Sequence, residues 1–223
     1  MSRVVLGVLL SAGLVTGFIG QSTFAAGNTD VTQVINAGVL TADIRDASRV
    51  TVVSPTFALS TATFSFTCQT TTGTLGTDSQ RLYVDNPNTA NNGWTLTIAA
   101  TSGATALWHN VGSTQTFDFN DPTTAGCTDG ADADSKAGQL TINPAAGTLT
   151  ADCPTCVVTN ITKGTSTGFS QATTDSVTLL NASASSDDIG RWYLTGVGLS
   201  QTLPGEQPVD SYSINLTITS TAS

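Results

Sequence analysis

The sequence predicts an all-β protein, folded as an antiparallel Greek-key β-sandwich, and three observations support this prediction. Threonine accounts for 41 of the 223 residues, and strand- and turn-forming residues such as Val, Gly, Ser and Asn are also common. Apolar and polar residues alternate in short runs, most clearly in residues 63–67 and 214–218. Beyond the first 25 residues, no helical spacing of apolar residues persists for ten positions.

Eleven segments are predicted to form strands, because each combines β-branched or aromatic residues with flanking Gly, Asn, Pro or Asp. They are residues 31–40, 50–53, 61–67, 81–84, 94–99, 114–119, 139–142, 157–161, 176–180, 191–197 and 212–219. No Pro- or Ser-rich linker divides them, so we expect a single domain over residues 26–223 with an acidic loop insertion at about residues 117–155.

The N-terminus has the pattern of a secretory signal peptide. Arg3 precedes an apolar stretch over residues 4–20, and Thr23 and Ala25 supply the small residues required before a cleavage site. We therefore predict a signal peptide over residues 1–25 and a secreted, extracellular protein, with no membrane span in the mature chain. A retained membrane anchor is the alternative, although the stretch is short for a span of about 20 residues.

The charge balance excludes a nucleic-acid partner. The chain carries 7 Lys and Arg against 16 Asp and Glu, which gives a formal net charge of -9. A nucleic-acid binder needs basic side chains to neutralise phosphates and release counterions. A basic membrane-surface helix is disfavoured for the same reason.

Four cysteines agree with export, because an even number of thiols outside the cytoplasm usually forms disulfides. They are Cys68, Cys127, Cys153 and Cys156. Long loops remove more entropy from the unfolded chain than short ones. This favours Cys127 with Cys153 and Cys68 with Cys156, and a bond between Cys153 and Cys156 stays open. A redox role for this last pair is disfavoured, because no βαβ context surrounds the CxxC motif.

Residues suited to catalysis are few. His109 is the one histidine and Glu206 the one glutamate, so a two-histidine metal site is excluded. A Ser-His-Asp triad would depend on His109, and no GxSxG motif marks a nucleophile. We therefore predict a non-catalytic protein, without catalytic or cofactor-binding residues, and keep an exported hydrolase as a minor alternative.

The acidic segment is a candidate calcium site. Calcium takes six to eight oxygen ligands, and carboxylates that alternate with small residues around Gly130 can wrap such an ion. The spacing is not that of an EF-hand, and a solvated loop with Asx-turns explains the same pattern. The candidate ligands are Asp118, Asn120, Asp121, Asp129, Asp132 and Asp134.

The strand that begins at Trp94 carries a resemblance to a known family. The string Gly-Trp-Thr-Leu-Thr-Ile at residues 93–98 follows an Asp-Asn-Pro-Asn turn at residues 85–88. This strand resembles the first motif of the WxL surface-domain family of secreted bacterial cell-wall proteins. The layout of residues 34–40, 64–66 and 212–218 also fits the family. The chain departs from it at the closing strand, where Ile218 and Ser220 occupy the positions of the second Trp-x-Leu.

The resemblance implies a β-rich, exported protein that associates non-covalently with peptidoglycan or another surface glycan. An exposed indole ring can stack on the apolar face of a sugar, and the candidates are Trp94, Trp108 and Trp192. A buried core stripe of Trp94, Leu96 and Ile98 is the competing interpretation of that strand. Another surface protein is a possible partner in place of glycan. A structural subunit of a surface layer or fibre, or an adhesin, is the alternative function.

Overall fold

The computed structural model describes residues 32–88, 92–121, 136–187 and 189–223. The predicted signal peptide lies outside these ranges. Residues Asn36–Ser223 form one compact unit, and of the preceding unit only Thr32–Ile35 are described. Within the described ranges, no helix is long and apolar enough to cross a membrane.

The described residues form an all-β, antiparallel fold of the sandwich type, which confirms the predicted fold class. Two short 3-10 turns, Gly103–Thr105 and Pro144–Ala146, interrupt the strands. The strands are β1 (Thr41–Arg45), β2 (Gln69–Leu75), β3 (Arg81–Asn86), β4 (Trp94–Ala100), β5 (Trp108–Asn110), β6 (Thr116–Phe117), β7 (Asn120–Asp121), β8 (Gly138–Asn143), β9 (Thr148–Ala151), β10 (Ile161–Lys163), β11 (Thr167–Gly168), β12 (Ser176–Ala182), β13 (Gly190–Thr195), β14 (Val197–Leu203), β15 (Tyr212–Ser213) and β16 (Leu216–Ala222).

One face of the sandwich is built around β13 and β14, which follow each other with only Gly196 between them. Gly196 has a φ of +74°, a conformation that glycine adopts without strain. β13 pairs with β3 and β9, and β14 pairs with β2 and β8, so two sheets adjoin along this chain segment. β1 extends the first sheet beyond β3, and β11 extends the second beyond β8.

The opposite face is a four-stranded sheet in the order β10-β12-β4-β16. Its central strand, β4, alternates buried and half-buried residues along its length, and Trp94, Leu96 and Ile98 are at most 1% exposed. Of the two interpretations of this strand, glycan platform and core stripe, the core stripe is therefore confirmed. A fourth sheet, of three strands in the order β15-β5-β6, carries Trp108.

Strand predictions are wrong where a segment with the right pattern has no partner. Residues 32–40 and 61–67 form no strand, and in 50–53 only Thr51 makes an isolated bridge. Within residues 157–161 a strand begins only at Ile161, and 114–119 is reduced to Thr116–Phe117. A β-strand is stabilised by a neighbour's backbone groups, and local alternation alone does not supply one.

The acidic insertion is narrower than predicted, because two of its segments belong to the main sheets. Gly138–Asn143 pairs with β14, and Thr148–Ala151 pairs with β13. Leu140 and Ile142 are at most 1% exposed, so their burial holds this part of the chain in the core. Residues 122–135 lie outside the described ranges.

The favoured disulfide pairing is wrong. Cys153 bonds Cys156, the alternative that the sequence left open. Cys68 is also disulfide-bonded, while Cys127 lies outside the described residues. Entropy alone favours long loops, but Cys153 and Cys156 fall in one tight turn between β9 and β10, where their Cα atoms are 5.2 Å apart.

Replacing both Cys153 and Cys156 with Ser should lower the free energy of unfolding by about 2 kcal/mol, because the bond closes a loop of only four residues. Urea unfolding of the double variant and the wild-type protein measures the difference. A loss above about 4 kcal/mol would show that this turn matters for more than loop closure. The variant Thr155→Ala, at an exposed position in the same turn, keeps the disulfide and is the control.

Candidate functional site

Two of the three candidate tryptophans are buried in the core. Trp94 on β4 and Trp192 on β13 are both 0% exposed, and their ring centroids lie 5.4 Å apart across the sandwich. The Trp192 indole N–H donates to the carbonyl oxygen of Val157 at 2.8 Å. Neither ring can present a face to a sugar, so the glycan-platform interpretation is wrong for these two residues.

Trp108 on β5 is half-buried, and its orientation is fixed from two sides. Its indole N–H donates to the Gln201 side-chain oxygen at 2.9 Å, and its ring stacks on Phe117 with centroids 5.6 Å apart. Gln201 is 0% exposed, and its amide nitrogen donates to the backbone oxygens of Asp118 and Thr202. A fully hydrogen-bonded, buried amide cannot rotate freely, so Gln201 holds the indole in place.

Trp108 lines a groove of about 380 Å³. Its lining includes residues 57–65 and most of residues 203–212, which run from the end of β14 to the start of β15. Their uncharged polar side chains are hydroxyls and amides, including Ser60, Thr61 and Gln207. Among the described lining residues, the one charged side chain is Asp210.

Tyr212 on β15 also lines the groove. Its ring meets Phe117 edge-on with centroids 5.1 Å apart. Its hydroxyl accepts a hydrogen bond from the Gln207 amide at 2.9 Å and lies 2.8 Å from the Pro208 carbonyl oxygen. Trp108, Phe117 and Tyr212 therefore form a continuous aromatic surface that links β5, β6 and β15.

Phe64 and Phe66 are aromatic residues that the sequence pattern assigned to a buried face. They are instead 49% and 77% exposed, and their rings meet edge-on with centroids 5.1 Å apart. The loop is held by Glu206, whose backbone N–H donates to the Ser65 carbonyl oxygen at 2.7 Å. Phe64 also lines the groove, which adds an exposed aromatic side chain to the candidate site.

Asp210 contributes a fixed negative charge. A hydrogen bond from the Asn110 side-chain amide, 2.8 Å long, and a second from the Ser211 backbone N–H lower the pKa of Asp210. The carboxylate therefore stays ionised at neutral pH. A ligand with phosphate or carboxylate groups near Asp210 would be repelled, whereas a neutral ligand would not.

The candidate calcium ligands are only partly described. Asp118, Asn120 and Asp121 are at most 3% exposed at the entry of the acidic loop, while Asp129, Asp132 and Asp134 lie outside the described residues. The Asn120 side-chain amide donates a hydrogen bond to the Ala104 carbonyl oxygen at 2.9 Å. No group of three or more His, Cys, Asp or Glu suited to a metal ion occurs within the described ranges. Calcium binding stays a prediction.

His109 shows no catalytic arrangement in its described surroundings. Its Nδ1 lies 3.3 Å from the carbonyl oxygen of Asn110, and the residue is half-buried on β5 beside Trp108. No serine or carboxylate hydrogen bond to the imidazole is formed by the described residues. Apart from Asp210, the groove combines aromatic side chains with neutral hydrogen-bonding groups, an arrangement that suits the binding of a small ligand.

No protein-family model, curated protein or solved structure matches the chain. The resemblance to the WxL family therefore rests on the strand at Trp94 and the layout of the segments around it. In the structure, Trp94 is a core residue, so it serves packing and not ligand contact.

Proposed function

We propose that this is a secreted, non-catalytic cell-surface protein that binds a neutral wall glycan, such as the sugar backbone of peptidoglycan, in the Trp108 groove. The observation that carries the proposal is that Trp108 and Phe64 line the same cavity together with hydroxyl and amide side chains. The signal-peptide pattern at the N-terminus and the resemblance to WxL proteins support the location at the wall.

Sugar rings have a polar edge and an apolar face, and the groove offers partners for both. The half-buried Trp108 ring and the Phe64 ring supply apolar surface on which C–H groups can pack. Ser60, Thr61 and Gln207 supply donors and acceptors for hydroxyl or acetamido groups. The cavity of about 380 Å³ lies within the size range of small-molecule sites.

The charge of the protein favours a neutral ligand over an anionic one. The chain has a formal net charge of -9, and the one charged group that lines the described groove is the Asp210 carboxylate. Anionic wall polymers would therefore gain no long-range attraction. Stacking and hydrogen bonding, which do not depend on charge, would supply the affinity.

Sedimentation with purified peptidoglycan in millimolar calcium tests the proposal. The wild-type protein should pellet with the wall, and Trp108→Ala should weaken binding at least tenfold, because it removes a large ring that Gln201 and Phe117 hold in place. Phe64→Ala should weaken it severalfold. Val53→Ala is the matched control, since Val53 is 88% exposed and lies outside the groove.

A loss of peptidoglycan binding in a variant must be distinguished from misfolding of that variant. Trp108→Phe keeps an aromatic ring but leaves the Gln201 oxygen without its donor, and Phe64→Ala changes a loop residue that is 49% exposed. Urea unfolding of each variant shows whether the fold is retained. Wild-type protein that stays in the supernatant, or folded Trp108→Ala and Phe64→Ala variants that pellet as well as Val53→Ala, would contradict glycan binding in this groove.

A further inference from the structure

An apolar cavity of about 280 Å³ is lined by both faces of the sandwich. Leu75, Leu140 and Leu199 contribute from the sheet that contains β2, β8 and β14. Ile98 of β4 and two residues of β16 contribute from the opposite face. Ile98 and Leu140 are both at most 1% exposed, so the cavity extends into the core.

A strap of irregular chain, residues 56–60, borders the cavity on the side of the surface. The Gln80 side chain accepts a hydrogen bond from the Thr56 N–H at 2.9 Å and donates one to the Thr56 carbonyl oxygen at 3.2 Å. At the other end of the strap, the Ser60 N–H donates to a carbonyl oxygen of β2 at 2.7 Å. Between these two attachments Phe57 lines the cavity and is only half-buried. The cavity therefore lies next to the surface and is not sealed within the core.

The chemistry of the lining disfavours water. Among the described lining residues no side chain is charged. The Trp108 indole N–H is bonded to Gln201, and the Tyr212 hydroxyl is bonded to Gln207, so these polar atoms are engaged outside the cavity. The remaining polar side chains belong to three exposed residues: Thr56, Ser213 and Asn215. A buried water needs two to four polar partners, so this space suits a hydrocarbon group better than water.

The cavity adjoins the Trp108 groove. Four residues line both spaces: Phe57, Leu59, Trp108 and Tyr212. The groove is lined by hydroxyl and amide side chains in addition to aromatic ones, whereas the lining of the cavity is mostly apolar. The two spaces together match a molecule that has a polar head and an apolar chain.

We propose that the cavity holds the alkyl chain of a neutral glycolipid whose sugar head lies in the Trp108 groove. The position of the head rests on the proposed function, whereas the position of the chain rests on the cavity alone. An apolar cavity of about 150 Å³ is enough to bind benzene, so a cavity of about 280 Å³ has room for a longer hydrocarbon. The Asp210 carboxylate, which lines the groove, disfavours a head that carries phosphate or carboxylate.

Isothermal titration calorimetry with butyl, hexyl and octyl glucoside tests the chain site, at concentrations too low for micelles. Each added pair of methylene groups should tighten binding about tenfold, because both groups leave water for the cavity. Octanoate has a comparable chain but a carboxylate head. At neutral pH it should bind severalfold more weakly than octyl glucoside, because Asp210 repels the head.

Two variants fill the cavity from different positions. Ile214→Phe and Leu216→Phe each enlarge a half-buried residue that lines the cavity but not the groove. Each should abolish the gain in affinity from butyl to octyl glucoside and leave the binding of soluble peptidoglycan fragments unchanged. Val53→Phe is the matched control, because it adds a ring at an exposed position outside both spaces. Urea unfolding shows whether each variant is folded.

Three results would overturn the proposal. Affinity for the alkyl glucosides that does not increase with chain length would show that the cavity takes no chain. A full increase in folded Ile214→Phe and Leu216→Phe would place the chain elsewhere. Octanoate that binds as tightly as octyl glucoside would contradict a neutral head beside Asp210.

Failure of the proposed function gives a different result. An increase with chain length that both filling variants abolish, together with no binding of peptidoglycan fragments, would support the chain site and contradict peptidoglycan as the ligand of the groove. Fragment binding without any increase with chain length would support the groove as a glycan site and overturn the chain site.

Discussion

Trp192→Ala will lower the free energy of unfolding by about 4 kcal/mol, because it leaves a large cavity at the centre of the sandwich. Trp192 is 0% exposed, and its ring lies 5.4 Å from that of Trp94 on the facing sheet. Its indole N–H also donates to the carbonyl oxygen of Val157, which lies in the segment that precedes β10. Chemical denaturation monitored by far-UV circular dichroism measures the loss.

A comparison with Trp94 isolates the hydrogen bond. The Trp94 indole nitrogen is buried without a hydrogen-bond partner among the described residues, whereas that of Trp192 has Val157. Phe removes the N–H and keeps most of the apolar surface, so Trp192→Phe should cost about 1 kcal/mol more than Trp94→Phe. Equal losses for the two Phe variants would show that the Val157 contact adds nothing to stability.

Asp85→Asn will lower the free energy of unfolding by about 2 to 3 kcal/mol, because one carboxylate joins three neighbouring strands. Asp85 on β3 lies 2.6 Å from the Arg45 guanidinium on β1 and 2.6 Å from the Arg191 guanidinium on β13. Its side chain is 21% exposed, so solvent screens these contacts only in part. Asn keeps the shape but leaves two adjacent positive charges without their common partner.

Asp78→Asn is the control for this variant. The Asp78 side chain is 94% exposed and lies 3.6 Å from Arg81, so its loss should change the free energy of unfolding by less than about 0.5 kcal/mol. Urea unfolding at neutral pH measures both variants. If Asp85→Asn were as stable as Asp78→Asn, the carboxylate would not hold the three strands together.

Local pattern was sufficient to predict the class of the fold and one side of its core. Threonine content and alternation indicated an all-β chain, and the alternation from Trp94 to Ile98 correctly identified a core stripe. The strand Gln69–Leu75 was missed, because it consists mostly of threonine. Leu75 is its one large apolar side chain, so no alternation marks a buried face.

The local pattern of apolar and polar residues could not predict which segments pair with each other. Phe64 and Phe66 alternate with polar residues as a buried strand would, yet they lie exposed in a loop, because no strand pairs with residues 61–67. Trp108 reads as an isolated aromatic residue until folding brings Phe64, Phe117 and Tyr212 to the same groove. The candidate site depends on such long-range contacts, which sequence spacing does not reveal.

The three tryptophans make acrylamide quenching of fluorescence the most direct test of glycan binding. Trp94 and Trp192 are 0% exposed, so Trp108 should account for nearly all quenching in the free protein. Saturating soluble peptidoglycan fragments should protect Trp108 and reduce quenching to the level of the two core residues. Quenching that is unchanged by these fragments would contradict binding in the Trp108 groove.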